Sequence, residues 1–198
     1  MPDQNLVEQL IHALCVMPGI GQKSAQRIAF HLLQRDRDAA RYLGQTLLDA
    51  MDNVKNCRRC RNLTEADTCN ICSNSRRDQA VLCVVESPID VVALEQATDY
   101  QGLYFVLMGR LSPLDGIGPE DVGMDLLSDR LRDEEIREVI LATNPTVEGE
   151  ATAFYISDLA REHGIRCSRI AHGVPLGGEL EYIDKGTIAH AFSGRQSL

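Results

Sequence analysis

Two pairs of closely spaced cysteines are the residues of this sequence whose types and spacing most clearly indicate chemistry. Each pair has two residues between its cysteines and eight residues separate the pairs, which are Cys57 with Cys60 and Cys69 with Cys72. One Cys-x-x-Cys turn presents two thiolates, so two such turns can complete a tetrahedral sulfur shell around Zn²⁺. Because four protein ligands leave no open coordination position, the spacing predicts a structural zinc module.

Redox chemistry and a disulfide framework are the alternatives to a metal site. A redox pair would be a single Cys-x-x-Cys beside a βαβ pattern, whereas these two pairs lie in a polar segment. The other cysteines, Cys15, Cys83 and Cys167, lie in apolar runs typical of a protein core. The sequence has no recognisable secretory signal or membrane-spanning run, so we expect reduced thiols and a cytoplasmic, nucleoid-associated protein.

A second pattern with chemical meaning is Pro-Gly-Ile-Gly at residues 18–21, between two amphipathic helical patterns. Gly19 and Gly21 permit a tight turn and close approach of another surface. Gly21 precedes the second helix, whose free N–H groups and dipole attract anions, and Lys23 and Arg27 share a face that can reach phosphates. The pattern resembles a helix–hairpin–helix DNA-binding motif, which implies salt-sensitive contacts with the DNA backbone. The alternative is an ordinary helical hairpin with glycine in its turn.

Positive charge is concentrated in the first part of the chain. Residues 1–77 carry eleven Lys or Arg and eight Asp or Glu, whereas residues 78–198 carry nine and twenty-one. We therefore expect any nucleic-acid contact in the N-terminal part, while the acidic part could bind metal ions or a basic protein. Around the first cysteine pair, the basic residues either extend the phosphate-binding surface or form a solvated zinc module, and they are Lys55, Arg58, Arg59 and Arg61.

Hydrophobic periodicity predicts two regions of different architecture. Helical spacing predicts three helices before the cysteines, over residues 5–16, from about Lys23 and from about Asp38. After a polar linker at 73–79, short apolar runs alternate with helical patterns, which indicates a parallel α/β sheet. The strands are predicted at 80–85, 102–108, 138–142 and 166–171, the helices at 89–97, 124–132 and 149–163, an irregular loop at 111–123, and a last helix at 184–195 capped by Asp184.

Acidic and polar residues follow the first and third predicted strands. Glu86 comes directly after the first strand, and Asn144 and Thr146 follow the third. The carboxyl ends of parallel strands are where α/β sheets place functional residues. These segments resemble a Toprim domain, whose catalytic members hold Mg²⁺ with that glutamate and two aspartates. Here Asn144 and Thr146 stand at the aspartate positions, so two of three anionic ligands for Mg²⁺ are missing.

The order of these pieces, with the tail from Gly173 to Asp184 and the later Gly194-Arg195, resembles the RecR family of bacterial recombination mediators. The resemblance covers nearly the whole chain and implies an α/β protein with four regions. They are a helix–hairpin–helix region at 1–53, a four-cysteine zinc module with linker at 54–79, a Toprim-like domain at 80–172, and a tail at 173–198 that serves oligomerisation.

The resemblance implies a non-enzymatic DNA clamp without catalytic residues. Such proteins form ring-shaped homotetramers and act with RecO and RecF to load RecA recombinase at single-stranded gaps coated by single-strand-binding protein. By position, Gly19, Gly21, Lys23 and Arg27 would contact DNA, and Glu86 and Asp90 would lie on the face that contacts RecO.

Two other functions remain open from the sequence. One is a Toprim-type metal-dependent nuclease or primase-like enzyme with a degenerate site that uses Glu86, Glu148 and Glu150. Glu148 has a second explanation, since an acidic side chain also caps the positive end of a helix. The other is a zinc-stabilised scaffold without DNA contact.

Overall fold

The computed structural model describes residues 5–171 and 173–195 of the chain. The chain divides into two compact units, Met1–Val54 and Lys55–Leu198. The described residues form eight α-helices and six β-strands. None of the described helices has the length and apolar character needed to cross a membrane.

The first unit consists of three helices, as predicted. They are α1 (Leu6–Leu14), α2 (Gln22–Arg35) and α3 (Arg37–Asn53). The side chain of Asn5 caps α1 by accepting from the Glu8 N–H, and Asp36 caps α3 by accepting from the Ala39 N–H. Ile11 and Leu14 of α1 pack against two fully buried alanines of α2, Ala25 and Ala29, whose small side chains let the two helices approach closely.

The second unit begins with the cysteine segment and continues into a parallel sheet. The cysteine segment contains an antiparallel pair, β1 (Lys55–Asn56) with β2 (Leu63–Thr64), and a short helix, α4 (Asn70–Ser73). The sheet strands are β3 (Val81–Val85), β4 (Leu103–Val106), β5 (Glu138–Ala142) and β6 (Arg166–Arg169), in the order β4-β3-β5-β6. The remaining helices are α5 (Pro88–Ala97), α6 (Met124–Asp133), α7 (Val147–Glu162) and α8 (Lys185–Ser193).

Both faces of this sheet are largely buried at β3, β4 and β5, which explains the apolar runs of these strands, whereas the edge strand β6 is only partly buried. On β3, Leu82 and Val84 join a core with α6 and α7, whereas Cys83 and Val85 face the core formed with α5. The connection through α5 runs from β3 to β4 and the connection through α7 runs from β5 to β6, in opposite directions along the sheet. Because such crossovers are right-handed, their helices lie on opposite faces.

The chain order reverses between β3 and β5, which are neighbours in the sheet. Val85 pairs with Ala142 at the carboxyl ends of these strands, so Glu86 and the residues after Ala142 meet at one edge. In open α/β sheets, this reversal point is where ligands usually bind. The fold therefore brings together the two segments from which the sequence predicted a Toprim site.

The connecting segments are partly more ordered than the sequence indicates. Residues 111–123 contain only a short 3₁₀ turn at Pro113–Asp115 and one bridge between Ser112 and Ile117, as expected for an irregular loop. In the polar segment 73–79, Arg77 donates to the carbonyls of Tyr100 and Gly102 and pairs with Glu95. This segment is thus attached to the sheet domain along its course.

In the tail, Asp184 caps α8, as predicted. Its carboxylate accepts from the Thr187 side chain and from the Thr187 N–H, the latter over 2.9 Å. These hydrogen bonds are the main cause that lowers the pKa of Asp184 below its usual value.

Candidate functional site

The turn between α1 and α2 presents open backbone to its surroundings. Gly19 has φ +80°, a conformation that favours glycine, whereas Gly21 has φ −85° and is the N-cap of α2. A Cβ atom added at either glycine would meet no other atom within 4 Å. Since Gly21 has no side chain to accept from the first N–H groups of α2, these donors are available to an anion. Internal packing therefore does not explain Gly21, whereas close approach of an external group would.

Two cations follow this turn on one side of α2. Lys23 and Arg27 are both exposed and lie one helical turn apart. Ile20, in the turn itself, packs against the α1–α2 core and fills the gap between the two helices. The hairpin thus combines a fixed turn, free N–H groups and two positive side chains, which is an arrangement suited to consecutive phosphates of a nucleic acid.

The four cysteines of the two pairs form one buried cluster. The four Sγ atoms all lie within 4.8 Å of one another, and those of Cys60 and Cys69 are 3.5 Å apart. Zn–S bonds of about 2.3 Å place the sulfurs of a tetrahedral site about 3.8 Å apart. All four cysteines are free thiols with exposures of 1% to 6%. Their number, separation and burial fit a tetrahedral metal ion such as Zn²⁺.

Hydrogen bonds prepare part of this cluster for a metal. Burial by itself would raise the pKa of Cys57, but backbone N–H groups of Cys69, Cys60 and Arg59 together lower this pKa to about 7. The Cys69 N–H lies 3.3 Å from the Cys57 sulfur. By contrast, the neighbouring Cys72 thiol and burial raise the pKa of Cys60. A bound divalent metal would remove the remaining thiol protons, because coordinating thiols are deprotonated.

Two arginines beside the first cysteine pair have a role that the sequence did not reveal. Arg59 pairs with Glu134, and Arg61 donates to the carbonyls of Leu107 and Val122 over 3.0 and 2.7 Å. Neither alternative for them, a phosphate-binding surface or a solvated module, predicted these internal partners. Nothing local in the sequence indicates partners so distant in the chain.

Lys55 and Arg58 differ from these two arginines because they stay exposed. Both lie beside Asp67 of the same module. They are therefore the members of the basic group that solvent, or a ligand, can reach.

At the edge of the sheet, Glu86 is buried and both of its carboxylate oxygens accept hydrogen bonds. Its Oε1 accepts from the Asn144 backbone N–H and its Oε2 accepts from the Asn144 side-chain amide, each over 2.8 Å. The Glu86 side chain is 6% exposed, and Arg110 Nη1 lies 3.8 Å from Oε2. Asn144 thus places hydrogen-bond donors where catalytic Toprim domains have a further carboxylate.

The other polar residues after β5 also have internal partners. Thr146 is the N-cap of α7 and accepts from the Gly149 N–H over 3.1 Å, so the threonine, not Glu148, supplies this cap. Glu150 forms an ion pair with Arg169 of β6. A Cβ atom on Gly149 would overlap the Asn144 carbonyl oxygen, so the loop after β5 packs tightly against α7.

Asp90 also has a structural role. Its carboxylate accepts from the Ser87 N–H over 2.8 Å and closes the capping box at the start of α5. Glu86 and Asp90 thus lie near each other along the chain, each with an internal partner. Their part in binding a protein partner stays a prediction.

Comparison with known protein families divides the chain in the same order. The family model for the Toprim domain matches residues 80–171. Models specific to RecR match the rest: the helix-hairpin-helix at residues 7–51, the four-cysteine zinc finger domain at 54–74 and the C-terminal region at 173–196.

Curated relatives match over almost their entire length. A protein of Saccharophagus degradans named Recombination protein RecR is 58% identical over 193 residues, which cover 98% of each chain. Proteins of the same name from Xanthomonas oryzae pv. oryzae and Methylococcus capsulatus are 58% and 56% identical, and the latter match covers 100% of both chains. At this identity and coverage, the chain belongs to the RecR family of recombination proteins.

Proposed function

We propose that this protein is a non-enzymatic DNA clamp of recombinational repair that helps to load RecA recombinase at single-stranded gaps, together with RecO and RecF. The observation that carries the proposal is a contrast between two sites, the helical hairpin and the edge of the Toprim sheet. The hairpin offers unused donors and cations to an external anion, whereas the donors and acceptors of the Toprim edge are used internally. One site is therefore built to bind and the other to hold structure.

DNA binding would take place through the backbone of the nucleic acid. Gly19, Gly21, Lys23 and Arg27 would contact phosphates, because these positions combine open backbone with positive charge. No base-reading element is needed for such contacts, so affinity would depend on salt more than on sequence. Two cations give a small patch, and strong binding therefore requires several subunits to engage the same DNA.

The Toprim region would serve this clamp as a scaffold. A catalytic Mg²⁺ ion relies on carboxylate charge, but at this edge Asn144 and Thr146 supply none, and both oxygens of Glu86 already accept hydrogen bonds from Asn144. Arg110 and Arg169 supply positive charge beside Glu86 and Glu150. A Mg²⁺ ion at this edge would lie beside these arginines and the N–H donors of Asn144, which disfavours its binding. This argues against the nuclease or primase-like alternative.

The zinc ion would have a structural role. Four buried thiols complete its coordination shell, so it would bring neither an open position nor a bound water. The segment from β1 to α4 has two-residue strands and one short helix, and little apolar surface to bury without the metal.

Exposed apolar side chains support assembly into a ring, which we propose to be a tetramer. No described residue of α3 is buried, and its exposed apolar residues include Tyr42, Leu43, Leu47 and Met51. In the tail, Leu176, Tyr182 and Phe192 are likewise exposed. Groups of exposed apolar side chains often mark a protein interface, and here they occur in α3 and in the tail.

The proposed partner surface lies on α5. Glu86, before α5, and Asp90, in α5, have internal partners, but Ile89 and Val92 of α5 are 74% and 50% exposed. An apolar patch beside acidic groups would suit a partner with a basic rim, as proposed for RecO. A cytoplasmic location at the nucleoid, expected from the reduced cysteines, stays a prediction.

The salt dependence of DNA binding tests the proposal. We expect Lys23→Ala and Arg27→Ala each to weaken binding about equally for DNA of unrelated sequences. Each variant should also reduce the slope of log K against log salt concentration by about one for every subunit that contacts the DNA. Arg161→Ala is the matched control, because Arg161 is an exposed arginine of α7 paired with Asp158. If Lys23→Ala and Arg27→Ala bind DNA like the Arg161→Ala control, the hairpin is not the DNA site.

A further inference from the structure

We infer that Glu134 and Arg130 of the Toprim region are positioning residues of the zinc site, so that zinc affinity and the stability of the Toprim region depend on each other. The inference rests on the proposed structural zinc. It goes beyond it, because both residues lie far along the chain from the cysteine pairs and belong to the end of α6.

The first link is an ion pair that starts inside the metal-binding turn. Arg59 lies between the ligands Cys57 and Cys60. Its Nε and Nη2 donate to Oε1 and Oε2 of Glu134 over 2.9 and 3.0 Å. Such a two-point pair of arginine and carboxylate fixes orientation as well as distance. The position of the first cysteine turn is therefore set from α6.

The second link is a buried guanidinium. Arg130 Nη1 donates to the carbonyls of Arg59 and Tyr104, over 3.0 and 2.8 Å, and its Nε donates to Glu134 over 3.2 Å. The Arg130 side chain is 5% exposed. One of its acceptors thus comes from the cysteine turn and another from β4. If the turn moves, a buried cation loses an acceptor, which is costly.

The third link runs directly through a ligand. The Val106 N–H, at the end of β4, donates to the carbonyl of Cys60 over 2.9 Å. Arg61, the next residue, reaches the carbonyls of Leu107 and Val122. The cysteine turn is therefore hydrogen-bonded to the Toprim region at three places: at β4, at the loop before α6 and at the end of α6.

These links imply coupling in both directions. Zinc holds the turn that supplies acceptors to Arg130 and Val106, so zinc stabilises the Toprim core at β4 and α6. By reciprocity, contacts that hold the turn in its metal-binding geometry raise zinc affinity. Residues outside the ligand set that orient ligands typically change metal affinity by about 10- to 100-fold.

Competition with a chromogenic chelator would measure zinc affinity in two variants of Glu134. Glu134→Asp keeps the charge but shortens the reach to Arg59, whereas Glu134→Gln keeps the length but removes the charge. We expect both to release zinc about 10-fold or more readily than the parent. The control is Glu138→Gln, because Glu138 is similarly buried and paired with Arg166, away from the cysteines. Zinc held by Glu134→Asp as tightly as by the parent would overturn the inference.

Hydrogen exchange of the parent protein tests the same coupling without a substitution. Removal of zinc should increase exchange at 103–107 and at 124–134, and leave β6 less affected. Unchanged exchange in both segments would contradict the coupling. A parent that binds no zinc would refute the proposed cofactor and the inference together, whereas tight zinc without an effect of Glu134 would refute the inference alone.

Discussion

Asn144→Asp restores the carboxylate that catalytic Toprim domains carry, in a protein whose Glu86 is arranged for an amide. The variant replaces a donor 2.8 Å from Glu86 Oε2 by a negatively charged oxygen. It loses a hydrogen bond to a charged group, which contributes about 1.5–3 kcal/mol. It also adds repulsion of about 6 kcal/mol if the effective dielectric constant is about 20.

Protonation limits this cost. Keeping one carboxyl protonated at pH 7, about three units above its ordinary pKa, costs about 4 kcal/mol. Because the protonated carboxyl can donate to its partner, the hydrogen bond is kept, and we expect Asn144→Asp to lower the free energy of unfolding by about 4 kcal/mol at pH 7, and the melting temperature by roughly 10 °C. Because the shared proton raises the carboxyl pKa in the folded state, the loss should shrink as pH falls towards 5.

Thermal unfolding followed by circular dichroism between pH 5 and 7.5, with and without millimolar Mg²⁺, is the assay. Asn144→Ala is the control, since it removes the side-chain hydrogen bond without adding a charge, and its smaller loss should not depend on pH. Mg²⁺ should stabilise Asn144→Asp more than the parent. A variant as stable as the parent at pH 7.5 would refute the assignment of Asn144 as the partner of Glu86.

Three further predictions concern the hairpin, an ion pair and the metal. Gly19→Ala should cost about 1–2 kcal/mol in chemical denaturation because of its positive φ, whereas Gly21→Ala should fold normally but bind DNA several-fold more weakly in a mobility-shift assay. Arg77 lowers the pKa of Glu95, so Glu95→Gln should destabilise the protein by about 2 kcal/mol above pH 5, and this difference from the parent should vanish in melts at lower pH. Cys57→Ala should lose zinc in elemental analysis and melt at a lower temperature; a variant that melts like its parent would contradict a structural metal.

Local patterns were sufficient to predict most elements. The predicted strand at 138–142 coincides with β5, and the helix predicted at 124–132 ends one residue before α6 does. Here hydrophobic periodicity and burial agree, because β3, β4 and β5 are largely covered on both faces. Helix α7 begins at Val147, two residues earlier than predicted, because the Thr146 side chain caps it there by accepting from the Gly149 N–H.

Side-chain partners across the fold could not be predicted in this way. Arg59 and Arg61 lie in a basic stretch, and local charge alone suggests solvent or phosphate. Their partners, Glu134 and the carbonyls of Leu107 and Val122, come from segments 46 to 75 residues away. For Glu86, the sequence identified the sheet edge and the loss of aspartates, but not that Asn144 would occupy both carboxylate oxygens.

The most direct test of the account follows binding and strand integrity together on one gapped duplex DNA, with Mg²⁺ or Mn²⁺ present. A non-enzymatic clamp retards the DNA and leaves every strand intact, and Glu86→Ala leaves strand integrity unchanged. Metal-dependent cleavage that Glu86→Ala abolishes would contradict the account, because it would mean that the Toprim edge binds a catalytic metal despite Asn144 and Thr146.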